Sequence, residues 1–137
     1  MTSMRKQSGG GRRVAVIGEP TGWHVGRLLA ALSARGHQGT VVRWTDLTAE
    51  VFASAVAAGV ATDAMCRERF LPEALADADL VIVRGMPGGG LEEVVFRMDV
   101  LGRLAAHGTP VVNSPRGLEI AIDKYLSLAR MAAAGLL

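Results

Sequence analysis

Two short apolar runs set the terms for folding this chain. Arg13 to Gly18 reads RVAVIG and Asp79 to Arg84 reads DLVIVR. Neither alternates polar with apolar, so each suits a strand covered on both faces, as in a parallel sheet. Between and after them come stretches with helical spacing. Trp23 to Arg35 carries Val25, Leu28, Leu29 and Leu32 on one face and stops near Gly36. Leu91 to His107 carries Leu91, Val94, Val95, Met98, Leu101 and Ala105, with Gly108 closing it. Two further short strands are expected at Thr40 to Trp44 and Pro110 to Asn113. Strands alternating with helices predict an α/β fold, a parallel sheet of about four strands in the order 2-1-3-4 with flanking helices.

The stretch from Leu47 to Ala76 is rich in alanine and predicts helix. Thr48 would cap one helix through Ala58, Gly59 would end it, and a second would start near Asp63, interrupted at Pro72. After the last strand, Asn113-Ser114-Pro115 reads as a turn into a helix. Asn113 or Ser114 can accept from the first free N–H groups, and Pro115 suits the first helical position. Leu118, Ile122, Leu126 and Ala129 then form one continuous stripe, with Lys124 off it.

Composition excludes several classes. The chain has 137 residues and 50% hydrophobic content, so it can build a core. No apolar run reaches the ~18 residues of a membrane span, and the N-terminus lacks a signal-peptide core, so a cytoplasmic protein is expected. Four of the 15 basic residues (Arg5, Lys6, Arg12 and Arg13) fall in the first 13 positions. The remainder has 11 basic residues against 13 acidic, which gives no support to a nucleic-acid surface. Residues 1–12 read as a disordered basic tail. A single cysteine, Cys66, excludes an internal disulfide and reads as a small buried or half-buried side chain. His24, His37 and His107 have no ligand spacing, so no metal site is expected.

Three loops follow strand ends at the edge where open parallel sheets bind ligands. The first, Gly18 to Gly26, is glycine-rich but is neither G-x-G-x-x-G nor a P-loop. A tight turn explains its glycines. Trp23 and His24, at the helix start, are candidates to stack on a substrate ring or bond a carboxylate. In the second loop, Arg84 closes a buried strand and calls for a carboxylate, a phosphate or water at its head. Gly88, Gly89 and Gly90 let backbone N–H groups approach an anion; the plain alternative is an exposed arginine beside a flexible loop. Arg97 and Asp99, on the following helix, read as a solvated surface. The third loop is Asn113 to Arg116.

The run NSPRGLEIAIDKYLSLARMAAAGL, at Asn113, Ser114, Pro115, Asp123, Lys124 and Gly135, resembles the segment entering the nucleotide-binding part of ATP-grasp ligases. It is similar in particular to the RimK-type α-L-glutamate ligases, those acting on tetrahydromethanopterin-type pterins included. RGMPGGGLEEVVFRMDVLGRL shares their arginine, glycine-rich loop and Phe-Arg-Met-Asp run, with Gly90 where serine is more usual. Leu137 stands where the family has proline. The resemblance implies a small Rossmann-like domain at 13–116, a helical link starting at 117–137, and an ATP-grasp domain beyond it. It implies the substrate-side domain of an ATP-dependent carboxylate–amine (glutamate) ligase acting through an acyl phosphate. ATP and magnesium would be cofactors, and a small-molecule or protein carboxylate and glutamate the substrates. In that reading Lys124 reaches nucleotide phosphate and Arg84 with the glycine loop faces the acceptor. No catalytic residue is expected in this chain, and self-association is left open. The alternative from another class is a free-standing, non-catalytic Rossmann-like binding or regulatory module.

Overall fold

The computed structural model describes residues 10–53 and 66–136. The first nine residues of the expected tail, the Gly59 stop and the helix start at Asp63 lie outside the described residues, as does the side chain of Cys66.

Strand β1 (Arg13–Ile17) leads through helix α1 (Trp23–Ala34) to β2 (Gln38–Val42). A 3-10 turn, Trp44–Asp46, precedes an antiparallel ribbon of β3 (Thr48–Ala53) and β4 (Cys66–Leu71). Short α2 (Glu73–Ala76) leads into β5 (Leu80–Val83), then α3 (Leu91–Ala106), β6 (Val111–Val112), α4 (Pro115–Ile122) and α5 (Lys124–Ala133).

The main sheet is parallel, in the order β2-β1-β5-β6. The four expected parallel strands are all present. Their numbering reads 2-1-5-6 rather than 2-1-3-4 because the ribbon supplies two additional strands in between. β1 is central and buried on both faces. Val14 and Val16 pack with Val25, Leu28, Leu29 and Leu32 of α1. Ala15 and Ile17 point the other way, into a cluster with Val81, Val83, Val100, Leu101 and Leu104. That strict division is the period of two in a strand.

The ribbon corrects the helices expected at 48–58 and from 63. Alanine's helix preference amounts to tenths of a kcal/mol per residue, and tertiary contacts override it. Phe70 of β4 is buried in the core cluster beside Trp44 and Leu47. Glu50 pairs across the ribbon with Arg69, whose guanidinium lies 3.9 Å from it. Glu68 accepts from Arg103 Nε at 2.8 and 3.0 Å and lies 2.7 Å from His107 Nε2, tying the ribbon to the end of α3.

A second correction concerns the last helix. The continuous stripe is broken at Asp123, whose extended backbone (φ −90°, ψ 103°) separates α4 from α5. Asp123 Oδ1 accepts from the Leu126 N–H at 2.9 Å and so caps α5. Ser114 caps α4 as expected, accepting from the Gly117 N–H at 3.1 Å, with Pro115 at the first helical position.

The bond to Arg103, then that to His107, holds the Glu68 carboxyl below the ordinary value of 4.5. A depressed carboxyl stabilises the fold above its unfolded pKa and loses that contribution as pH falls through the folded value. Glu68→Gln is therefore expected to lose about 1 kcal/mol at neutral pH, the worth of a charge-assisted contact reduced for its half-exposed partners. Urea unfolding of both proteins at about pH 7 and about pH 3 checks this; the gap should narrow as the pH falls.

Candidate functional site

The site follows from the topology. From β1 the chain leaves through α1 toward β2; from neighbouring β5 it leaves through α3 toward β6. The two loops diverge, and a crevice opens between them at the carboxyl ends of the strands. The structure places a cavity of about 410 Å³ there. Gly18 and Glu19 come from the end of β1, and Arg43, Trp44 and Thr45 from the end of β2. Arg84, Gly85, Met86 and Pro87 come from the end of β5.

Gly18 permits the close approach that shapes the crevice. A Cβ there would lie 3.0 Å from Val25 Cγ2 and 3.1 Å from the Arg84 carbonyl oxygen. The backbone hydrogen bond from the Arg84 N–H to the Ile17 carbonyl, 2.8 Å, keeps the two strands in register to the cavity's edge. Gly85 follows at φ 79°, a left-handed conformation suited to glycine.

The loop from Gly85 to Gly90 is held at three points. Trp44 Nε1 donates to the Gly85 carbonyl at 2.8 Å. Arg97 Nη1 donates to the Pro87 carbonyl at 3.0 Å. The Gly90 N–H donates to Glu93 Oε2 at 2.9 Å. The loop's carbonyls at 85 and 87 are thus engaged. Met86, Gly88 and Gly89 make no hydrogen bond among the described residues. The loop the sequence offers as flexible thus carries three hydrogen-bonded attachments, with N–H donors at Met86, Gly88 and Gly89 unengaged among the described residues.

The sequence-derived candidates divide. Arg84 lines the cavity and is exposed, with no carboxylate partner among the described residues. Gly88, Gly89 and Gly90 continue from its rim without lining it. Trp23, 71% exposed, meets His24 edge to face at 4.9 Å; both stand at the start of α1 outside the lining. Lys124 is the first residue of α5, exposed, and lines neither this cavity nor the groove between α3 and α4.

Sequence reading missed the β2 side. Arg43 and Trp44, expected at the tail of a strand, form one wall, and Arg43 brings a second exposed guanidinium. Arg97, expected on a solvated surface, is instead 9% exposed and shares the buried face of α3 with Val100, Leu101 and Leu104. The available signal was spacing: positions 97, 101 and 104 share one helical face. Among the described residues no group of three His, Cys, Asp or Glu could hold a metal ion. No helix there is long and apolar enough to cross a membrane.

Gly18→Ala is expected to force the β1 and β5 ends apart and to lose about 1–3 kcal/mol, the usual cost of overpacking a close contact. Urea unfolding reads it; an unchanged midpoint would mean the crevice opens freely.

No protein-family profile matches the chain. The tetrahydromethanopterin:α-L-glutamate ligase of Methanosarcina acetivorans is 44% identical over 62 residues, 45% of this chain and 19% of that protein. The ATP-grasp ligase PsnB, solved with a minimal precursor, shares the fold with a TM-score of 0.59 and 25% identity over 90% of this chain and 44% of its own. PsnB solved with precursor peptide PsnA2 and AMPPNP gives a TM-score of 0.56 over 95% of this chain and 46% of its own; at 22% identity this is likeness of fold. The chain thus spans about a fifth of the curated relative and under half of the solved one. The relative matched in sequence is a glutamate ligase, and the structures matched in fold are of an ATP-grasp ligase.

Proposed function

We propose that this chain is the substrate-side domain of an ATP-dependent carboxylate–amine ligase, a glutamate ligase, working with an ATP-grasp domain. The observation that carries the reading is the cavity at the β1–β5 crevice, bearing Arg84, in a chain with 44% identity over 62 residues to a glutamate ligase. In the reaction proposed, an acceptor carboxylate oxygen attacks the γ-phosphorus of ATP and ADP leaves. The glutamate amine then attacks the acyl carbon, loses a proton and expels phosphate.

This chain's share is binding. Arg84, at the cavity edge without an ion pair among the described residues, takes an anionic group of the acceptor. The unengaged N–H groups at Gly88 and Gly89 supply further donors, and Trp23 with His24 flanks the approach. Lys124 contacts nucleotide phosphate across the boundary with the ATP-grasp domain. Asp123 supports that placement, because its cap starts a new helix and sets Lys124 on the exposed first turn. Magnesium would neutralise phosphate charge, but the described residues offer it no carboxylate cluster, so we assign it to no residue of this chain.

Calorimetric titration with tetrahydromethanopterin tests the cavity. Arg84→Ala should weaken binding by roughly 10- to 150-fold, the range of a charge-assisted hydrogen bond worth about 1.5–3 kcal/mol. Equal affinity for both proteins would remove the acceptor from this cavity. In the ligase that carries this domain, Lys124→Met should raise the apparent ATP constant about tenfold, near 1.4 kcal/mol, and leave the acceptor constant nearly fixed. Unchanged ATP curves with an intact fold would return Lys124 to the surface.

A further inference from the structure

We propose that Arg97 is a positioning residue, which fixes the Gly85–Gly90 loop from behind so that its N–H donors are left free for a ligand. The guanidinium lies at the junction of three elements. Nη1 donates to the Pro87 carbonyl at 3.0 Å, the central point of the loop's attachment. Nη2 lies 3.8 Å from Glu93 Oε1, while the other oxygen of that carboxylate holds the Gly90 N–H. The guanidinium carbon sits 5.9 Å from the centre of the Trp44 ring, and Trp44 in turn holds the Gly85 carbonyl. One buried cation therefore contacts every group that restrains the loop.

The space around it is already full. A Cβ on Gly89 would lie 3.1 Å from Arg97 Nη1 and 2.3 Å from Glu93 Oε2, so the loop passes directly over the pair. Arginine suits the position because its planar fork can donate in two directions at once, to a carbonyl and toward a carboxylate. Lysine offers a point charge that cannot span both. By binding the loop's carbonyl side, Arg97 and Trp44 leave the N–H groups of Met86, Gly88 and Gly89 without hydrogen-bond partners among the described residues. The donors are then preorganised and a ligand is spared the ordering of the loop. That this ligand is the acceptor rests on the ligase reading above; that Arg97 orders the loop does not.

Proton exchange measured by NMR on the full chain tests the loop directly. The chain has two tryptophans, and exposed Trp23 serves as the internal reference for the Trp44 indole N–H. In Arg97→Met, exchange of the Trp44 indole should quicken at least about tenfold, the factor of one lost charge-assisted hydrogen bond. The amide signals of Met86, Gly88 and Gly89 should move toward disordered positions, while those of β1 and β5 stay fixed. Arg97→Lys, which keeps the charge and most of the volume, should recover part of the protection and provides a folded variant if the methionine form is unstable. Loop and indole signals unchanged in both variants would overturn the proposal. So would loop and sheet protection falling together in both, since that marks a general stabilising role. No acceptor is present in the experiment, so its failure removes Arg97 and leaves the ligase reading standing.

Discussion

The structure depends on burying β1 from both sides. Its inner residues have no solvent-facing side: Val14 and Val16 belong to the α1 layer, and Ala15 and Ile17 to the α3 layer. A strand in that position must be central and must have a parallel neighbour on each edge, because helices cover both faces. Parallel pairing then sends every strand's carboxyl end to one side of the sheet. The crevice is a consequence of that packing, since β2 and β5 lie on opposite edges of β1 and their loops part above it. Arg43 and Arg84 reach the same cavity for this reason, though 41 positions separate Trp44 from Gly85, the pair that joins the two walls.

The same constraint explains what could be read in advance. Continuous apolar runs announced β1 and β5, and helical spacing announced α1 and α3, because each is decided by local pattern plus burial. The ribbon was not legible. Its sequence is short of β-branched residues, and what holds it is remote: Phe70 in the core, and Glu68 against Arg103 and His107, 35 and 39 positions away. The break at Asp123 was hidden for a different reason. Leu118, Ile122 and Leu126 keep helical spacing across it, so periodicity alone sees one helix, while the aspartate side chain competes for the backbone N–H of Leu126. The Ser127 hydroxyl closes the junction by donating to the Ile120 carbonyl at 2.7 Å.

The site was half legible. Arg84 and the glycine loop stood out because an arginine ending a buried run and three successive glycines are both costly without a reason. Arg43 and Trp44 did not, because nothing in a strand's last residues says whether they end the sheet or line a cavity. The loop's attachments were not legible, since glycine content describes what a backbone is free to do and not what its neighbours hold. Here Trp44, Arg97 and Glu93 hold it, and two of those three come from the helix that follows the loop in sequence.

Arg97 also bears on why a charge is placed in this core. Burying a guanidinium forfeits hydration, and replacing buried ion pairs with apolar side chains of similar volume is often neutral or stabilising. A methionine or leucine at this position would fill the space over Trp44 without that cost. Stability alone therefore gives no reason for an arginine on the buried face of α3 beside Val100, Leu101 and Leu104. The contacts it makes supply the reason, because they are directional. A carbonyl is held at 3.0 Å, a carboxylate lies at 3.8 Å and an aromatic face at 5.9 Å, and an apolar residue could reproduce none of the first two. A sheet edge fixes where a cavity opens, but not which backbone atoms face it. In this fold that second task falls to a charge set one layer behind the loop, where it restrains the cavity's wall without lining the cavity.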